Sequence, residues 1–318
     1  MATSGSITFT VTTNDIITEA LELLGVLGEG ETPTADQLSS SQRTLNMMTK
    51  TWQAEGLNLF AVQRNYLFLT KGQAEYNLSA SSSSNFTSSF VEGSTAATAV
   101  ATATTVTLVD ASEVSNGDKI GIYTTNNTTF WTTVNGAPAG NVVTLTVALP
   151  YDVALGALVY TYTTVSNRPM LILEAYLHQF GATDIPVDLI SRVDYYELTN
   201  KTAEGFTNQV YYDPQINASK LLTWPLTTDD RNYLILLTQR TLDDFVSSTD
   251  NPDFPQEWYM PLAFNLARSL APKYGTPQMD YARIMQQARE LYETVRGFDT
   301  EMGTSMFLRP DSWGNQYQ

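Results

Sequence analysis

"LNLFAVQRNYLFLTKGQAEYNL", residues 57–78, is where the hydrophobic period of this chain changes. Upstream, apolar residues return every three to four positions. Within it, Phe60, Val62, Tyr66 and Phe68 follow a period of two, which predicts strands joined by the turn "KGQ". A chain that moves from helical to strand period and back to helical period near its end reads as α+β.

Towards the N-terminus, "TNDIITEALELLG" (13–25) places Ile16, Ile17, Ala20, Leu21, Leu23 and Leu24 on one stripe. Thr12 and Asp15 stand at capping-box spacing, and Gly25 is a stop. After "GEGETP", Thr34 and Gln37 repeat that spacing, and Leu38, Leu45, Met48 and Trp52 keep helical period up to Gly56. The two helices are expected to pack as an antiparallel pair.

Towards the C-terminus, "SASSSSNFTSSF" (79–90) reads as a flexible boundary. Residues 94–164 are dominated by Thr, Val and Ala, with Lys119 the only base. Their runs "TTVTLVD", "KIGIYTT", "FWTTV", "NVVTLTV" and "ALVYTYTT", separated by Asn116-Gly117, Asn126-Asn127 and "NGAPAGN", predict an inserted β-barrel or sandwich. "RPMLILEAYL", "DIPVDLISRVDYYELTN", "NQVYYDP", "KLLTWPL" and "YLILLTQRTL" then read as strands of a small antiparallel sheet in the host domain.

In "PQEWYMPLAFNLARSLAPKYG" (255–275), Trp258, Leu262, Leu266 and Leu270 recur every four residues beside Ala263 and Ala267. That face predicts core or subunit contact, with Asn265, Arg268 and Ser269 away from it. Arg268 suits either solvent or a fork-like carboxylate contact on a neighbour. Pro277 opens a last helix through Met285, Ala288, Leu291 and Val295 to Gly297. The aperiodic remainder reads as an arm. The expected organisation is therefore a discontinuous helical domain with a small sheet (1–79 and 166–296), an inserted all-β domain (80–165) and an extended C-terminal arm (297–318).

The 318 residues, 42% of them apolar and 16% charged, fit more than one core and argue against disorder. The formal charge of −16, with no basic cluster, disfavours sequence-specific DNA binding, although an acidic wall would let nucleic acid pass. Cysteine is absent, which removes thiolate chemistry. "MATSGSITFTV" predicts no signal peptide, and no apolar run is long enough to predict a membrane span, so the chain reads as made in the cytoplasm.

His178, the only histidine, lies on an alternating strand with no second imidazole or thiolate, and reads as structural. Asp229-Asp230 and Asp243-Asp244 are paired acids of the kind that cleaves glycosidic bonds, but they lie in turn-like sequence where solvated acids are ordinary. Asn77, Asn85 and Asn126 match the glycosylation pattern, as a Thr- and Asn-rich chain does by chance. No nucleotide, metal or hydrolase motif is present, so neither an enzyme nor a cofactor is expected.

Several stretches occur in an order that carries a resemblance: "ALELLGVLGEGETPTADQLSSSQRTLNMMTKTWQAEGLNLF", "LTKGQAEYNL", "RP", "VYYDPQ", "LLTWPL" and "DFPQEWYMPLAFNLARSLAPKYGTP". Together they resemble the head-to-tail adaptor, or tail accessory factor, family of short-tailed bacteriophages (podoviruses). The similarity covers about 13–78 and 168–296, with the β insertion a departure.

The resemblance implies a structural connector in the virion: a ring of about twelve copies below the portal protein, extending the DNA channel. Such a ring helps retain packaged DNA, takes part in genome ejection and gives a tail nozzle or hub, and tail fibres, a place to dock. DNA would pass without sequence-specific binding, and no membrane is involved. The family's C-terminal arm reaches the portal, which implies that role for Met306, Phe307, Leu308, Arg309, Trp313 and Tyr317. Its helices run around the ring, which makes Trp52, Trp258, Asn265 and Arg268 candidates for subunit contact. Aromatic anchors on an aperiodic tail suit ordering on a partner, at ~2 kcal/mol each. Two alternatives stay open: a virion-associated peptidoglycan hydrolase working through Asp229 and Asp243, and a host-surface-binding module in the β insertion.

Overall fold

The computed structural model describes residues 5, 7–56, 59–80, 84–181, 183–216 and 219–298. Helices α1 (Thr13–Leu23) and α2 (Ala35–Ala54) open the chain, α3 (Arg192–Glu197) falls among the strands, and α4 (Tyr259–Tyr274) and α5 (Gln278–Phe298) close it. The architecture is α+β, in two compact units. One comprises residues up to Phe60 together with those from Leu242 onward; the other is Ala61–Thr241.

The first unit is helical. Both expected capping boxes form: Thr12 Oγ1 accepts the Asp15 N–H at 3.3 Å while Thr12 N–H donates to Asp15 Oδ2 at 2.8 Å, and Thr34 with Gln37 repeats the exchange. α4 ends at Gly275, whose φ of 67° is the left-handed geometry that a helix stop favours. α4 is the hub, packing against α1, α2 and α5. α1 and α2 also touch, as expected of a pair, but less than either touches α4. Leu262, Leu266 and Leu270 are fully buried, and Ala263 and Ala267 keep the neighbouring backbones close. In α5 the buried positions are Ile284 and Ala288; Met285 is exposed, one residue off the expected stripe.

The irregular segment 242–250 is tied to these helices through its backbone. Asn46 on α2 both accepts from Phe245 N–H and donates to the Phe245 carbonyl, each at 2.9 Å. Gln42 donates to the same carbonyl at 2.9 Å, and the first amides of α1, Thr13 and Asn14, donate to the carbonyls of Asp250 and Ser248. These bonds satisfy helix-end donors and loop acceptors together.

The second unit holds the strands, in chain order β1 (Val62–Phe68), β2 (Glu75–Asn77), β3 (Phe86–Thr87), β4 (Val91–Ser94), β5 (Thr105–Thr107), β6 (Lys119–Tyr123) and β7 (Thr129–Thr133). There follow β8 (Val142–Thr144), β9 (Leu158–Tyr162), β10 (Leu171–His178), β11 (Asp184–Leu189), β12 (Gln209–Asp213), β13 (Lys220–Trp224) and β14 (Tyr233–Gln239). Eight of them form one sheet in the order β2-β13-β12-β11-β10-β14-β1-β3. It curls until its edges approach, with Ser84 Oγ donating to the Asn77 carbonyl at 2.7 Å. Leu67, Leu78, Phe86, Leu177, Val210, Leu221 and Leu236 fill the interior.

Several expectations are corrected here. The sheet is large and mixed, since β11 pairs with β12 in parallel and with β10 antiparallel. β1 and β2 are joined by the "KGQ" turn but do not pair: β1 lies between β14 and β3, while β2 pairs with β13. The Ser-rich stretch is no simple linker, because Phe86 is fully buried and β3 completes the sheet. "SRVDYYE" is not strand; Ser191 and Asp194 form a capping box and open α3.

The stretch 80–165 contains all five expected strands, and besides them β4 and the β3 that joins the eight-stranded sheet. β4-β9-β6-β7 make one antiparallel sheet and β5-β8 a ribbon, sharing a core of Val106, Ile120, Ile122, Val143 and Val159. The insertion is not separate from the eight-stranded sheet. Phe68 of β1 packs on Tyr160 (centroids 4.7 Å apart), Trp131 (4.9 Å) and Tyr162 (6.0 Å), with Phe90 and Tyr233 completing the cluster. The compact units accordingly divide at 60 and 242 rather than at 79 and 166. Gly121, opposite Trp131 in the β6–β7 pair, leaves no room for a larger residue unless the indole moves, because a Cβ would lie 2.7 Å from it.

Candidate functional site

The turn between β13 and β14 carries three charged residues in succession, Asp229, Asp230 and Arg231. Asp230 is 2% exposed, and its carboxylate accepts the backbone N–H of Lys71 and, at 2.9 Å, that of Thr129. Thr129 Oγ1 donates back to the Asp230 carbonyl at 3.1 Å. Burial pushes this carboxyl above the usual range, against the two amides, and the charge of Asp229 adds to the rise. For Asp229, burial acts upward too, but hydrogen bonds and charge from Arg231 outweigh it and hold the carboxyl below the usual range. Arg231 binds that carboxylate through Nε (3.0 Å) and Nη2 (2.7 Å) and lies over the rings of Phe180 (4.5 Å) and Tyr123 (5.0 Å).

Two adjacent acids with opposite shifts can signal an acid and a base. Here the chemistry is constrained by the bonds already made. Asp230 stitches three loops together from inside, and Asp229 is clasped by its own neighbour's guanidinium. Asp243 and Asp244 belong to the helical unit, where Asp244 pairs with Lys50 at 2.8 Å and Asp243 is exposed. His178 occupies a cross-strand position: Nδ1 is 2.6 Å from Asp184 Oδ1, and the ring stacks on Tyr233 at 4.5 Å.

The proposed subunit-contact residues divide. Trp258 is 5% exposed and sits in an aromatic box with Trp52 (5.8 Å), Phe60 (5.7 Å), Phe254 (5.7 Å) and Tyr292 (6.1 Å). Trp52 is half-buried and lies 4.7 Å from Tyr292, whose hydroxyl donates to Glu55 at 2.7 Å. Burial raises the Tyr292 hydroxyl, and the bond and charge of Glu55 raise it further. Asn265 does not lie away from the core face: it is 4% exposed and donates to the carbonyls of Pro261 (2.9 Å) and Ala288 (3.0 Å), pinning α5 to α4. Trp258 and Asn265 are thus spent within their own chain. Arg268 is exposed on α4. Met306, Phe307, Leu308, Arg309, Trp313 and Tyr317 lie outside the described residues.

Other apolar groups are left in water instead. Phe9 and Met260 are 64% and 57% exposed and, with Val11, Ile16, Tyr259 and Phe264, line a groove of about 260 Å³ beside α1 and α4. A second cleft, about 500 Å³, runs from Leu23 and Phe264 to Ile284 and Arg283 on α5. On the insertion, Val100, Val109, Val147 and Leu155 are more than half exposed. Met260 and Phe264 were readable in principle, since they widen the apolar arc of α4 beyond the single stripe that its core contacts need.

No protein-family model matches this chain, and no curated protein matches it.

Proposed function

We propose that the chain is a structural head-to-tail connector of a tailed bacteriophage. It forms a ring of about twelve copies below the portal, extends the DNA channel and carries the attachment surface for the tail. The observation that carries this reading is the exposed apolar surface: Phe9 and Met260 beside a groove on the helical unit, and Val100, Val109, Val147 and Leu155 on the β insertion. Scattered single hydrophobes need no explanation, but an apolar groove rimmed by Asp15 and Glu19 is the composition of a protein-binding patch.

Two further features support it. The order of the quoted stretches resembles the adaptor family across both ends of the chain. The charge of −16 suits a channel that DNA traverses without sticking. In this reading the paired acids hold loops rather than cleave sugars, and the chain turns over no substrate.

The test is portal binding by the full chain and by a chain ending at residue 298. The full chain is expected to bind the portal assembly, and the shortened one to bind at least about tenfold more weakly, a loss of ~1.4 kcal/mol or more. A full chain that does not bind portal overturns the reading. Equal binding by both overturns the role of Met306, Phe307, Leu308, Arg309, Trp313 and Tyr317.

A further inference from the structure

Where β9 ends and β6 begins, the insertion's sheet closes on a cleft of about 200 Å³ lined by Ser89, Val91, Glu113, Asp118, Thr161 and Thr163. The strand register puts these groups together. Val91 pairs with Thr161 and Lys119 with Tyr162, so continuing the first register by two residues and the second by one brings Ser89, Thr163 and Asp118 into a row across three chain segments. Alternation places Asp118 on the same side of the sheet as the buried Ile120, two residues on. Glu113 enters from the 111–114 turn, closed by the Val114 N–H on the Ala111 carbonyl.

Asp118 is 1% exposed. Its Oδ2 accepts the Ser115 N–H at 2.7 Å, which closes the turn before β6. Its Oδ1 is also buried, yet finds no hydrogen-bond partner among the described residues. A buried carboxylate oxygen without a donor is costly, and a second carboxylate in the same cleft increases that cost. An asparagine or serine would have closed the turn without it. Two acids and several hydroxyl and carbonyl oxygens around one small cleft are the ligand set of a hard cation, and an oxygen shell supplied largely by the protein favours calcium over magnesium, which keeps most of its waters.

We propose that this cleft binds one divalent cation, Ca²⁺ in preference to Mg²⁺. Asp118 Oδ1 and the Glu113 carboxylate are the charged ligands, with oxygens of Ser89, Thr161 and Thr163 available to complete the shell. The ion joins the 111–118 turns to the ends of β4 and β9, and so fixes one end of the insertion. No group of three or more acidic, His or Cys ligands occurs among the described residues, so the affinity belongs in the weak range, ~10⁻⁴–10⁻³ M.

The experiment uses the full chain stripped with EDTA and titrated with Tb³⁺, its luminescence excited through the aromatic rings, Tyr162 among them at the cleft. The expected result is saturable binding at one ion per chain, displaced by Ca²⁺ at lower concentration than by Mg²⁺. Asp118→Asn keeps an oxygen for Ser115 and should abolish the signal. Glu113→Gln, at an exposed position, should weaken it about tenfold. Ion-free, both variants should melt at or above the temperature of the unaltered chain, because each removes a carboxylate charge from the cleft; should Asp118→Asn not fold, Glu113→Gln decides alone. Absence of saturable binding, or binding left unchanged by Glu113→Gln, overturns the proposal, the latter marking an adventitious ion elsewhere on an acidic surface.

Discussion

The helical unit and the strand unit secure their polar groups over different distances. In the first, Thr12 and Asp15, or Thr34 and Gln37, settle a helix end between residues three apart. In the second, Asp230 takes amides from residues 159 and 101 positions away in the chain. The hydrophobic parts differ in the same way: α4 presents one stripe of its own sequence, whereas Phe68 meets Trp131, Tyr160, Tyr162 and Tyr233 from three other strands. Damage should therefore be graded in the helices and concentrated at a few junctions in the sheets.

The largest expected effect is at such a junction. Phe68→Ala empties the centre of the aromatic cluster and should cost about 3–5 kcal/mol in chemical denaturation. A loss below about 1 kcal/mol would show that the cluster is not the joint between the insertion and the eight-stranded sheet. Gly121→Ala should cost about 1–3 kcal/mol, because Trp131 is held by Phe68 and Tyr162 and has little room to retreat. By contrast, Thr34→Ala, which removes one capping box, should cost only about 1 kcal/mol, and hydrogen exchange should place the fraying at the start of α2.

The smallest effect is on pH dependence, and its sign distinguishes the neighbouring acids. Asp229 is held below its usual pKa, so it stabilises the fold above about pH 4 and that contribution is lost as pH falls through its folded value. Asp230 is raised, so the stability associated with its protonated form is present below about pH 4 and is lost as pH rises through its folded value. Stability measured against pH should then show Asp229→Asn converging on the unaltered chain as pH falls below about 4. A constant difference would show that the Arg231 clasp does not act through charge.

What could be read beforehand follows the same division. Capping boxes, helical stripes and the five alternating runs of the insertion are local patterns, and the corresponding elements were legible. Strand partners were not: nothing in "KGQ" tells that β1 and β2 pair elsewhere, because register is set by residues more than a hundred positions away. α3 was hidden because Val193 and Tyr195 alternate with Arg192 and Asp194, although Ser191 and Asp194 carried its cap. Asn265 was misplaced because a polar residue on a helix is expected to face water, whereas this one satisfies two carbonyls inside. For the candidate site, adjacent acids were visible at 229 and 230; that one is buried and both are already bonded depends on Lys71, Thr129 and the Arg231 side chain. The apolar groove at Phe9, Met260 and Phe264 needed the packing of α1 against α4 to appear.

The proposed connector function requires this exposed apolar surface to be covered by sister copies on a portal. Native mass measurement of the full chain, alone and mixed with portal assembly, reads out that coverage. The expected result is added mass in a closed multiple of the 35.2 kDa subunit, about twelve copies, on the portal. A chain that stays at 35.2 kDa in both samples would contradict it.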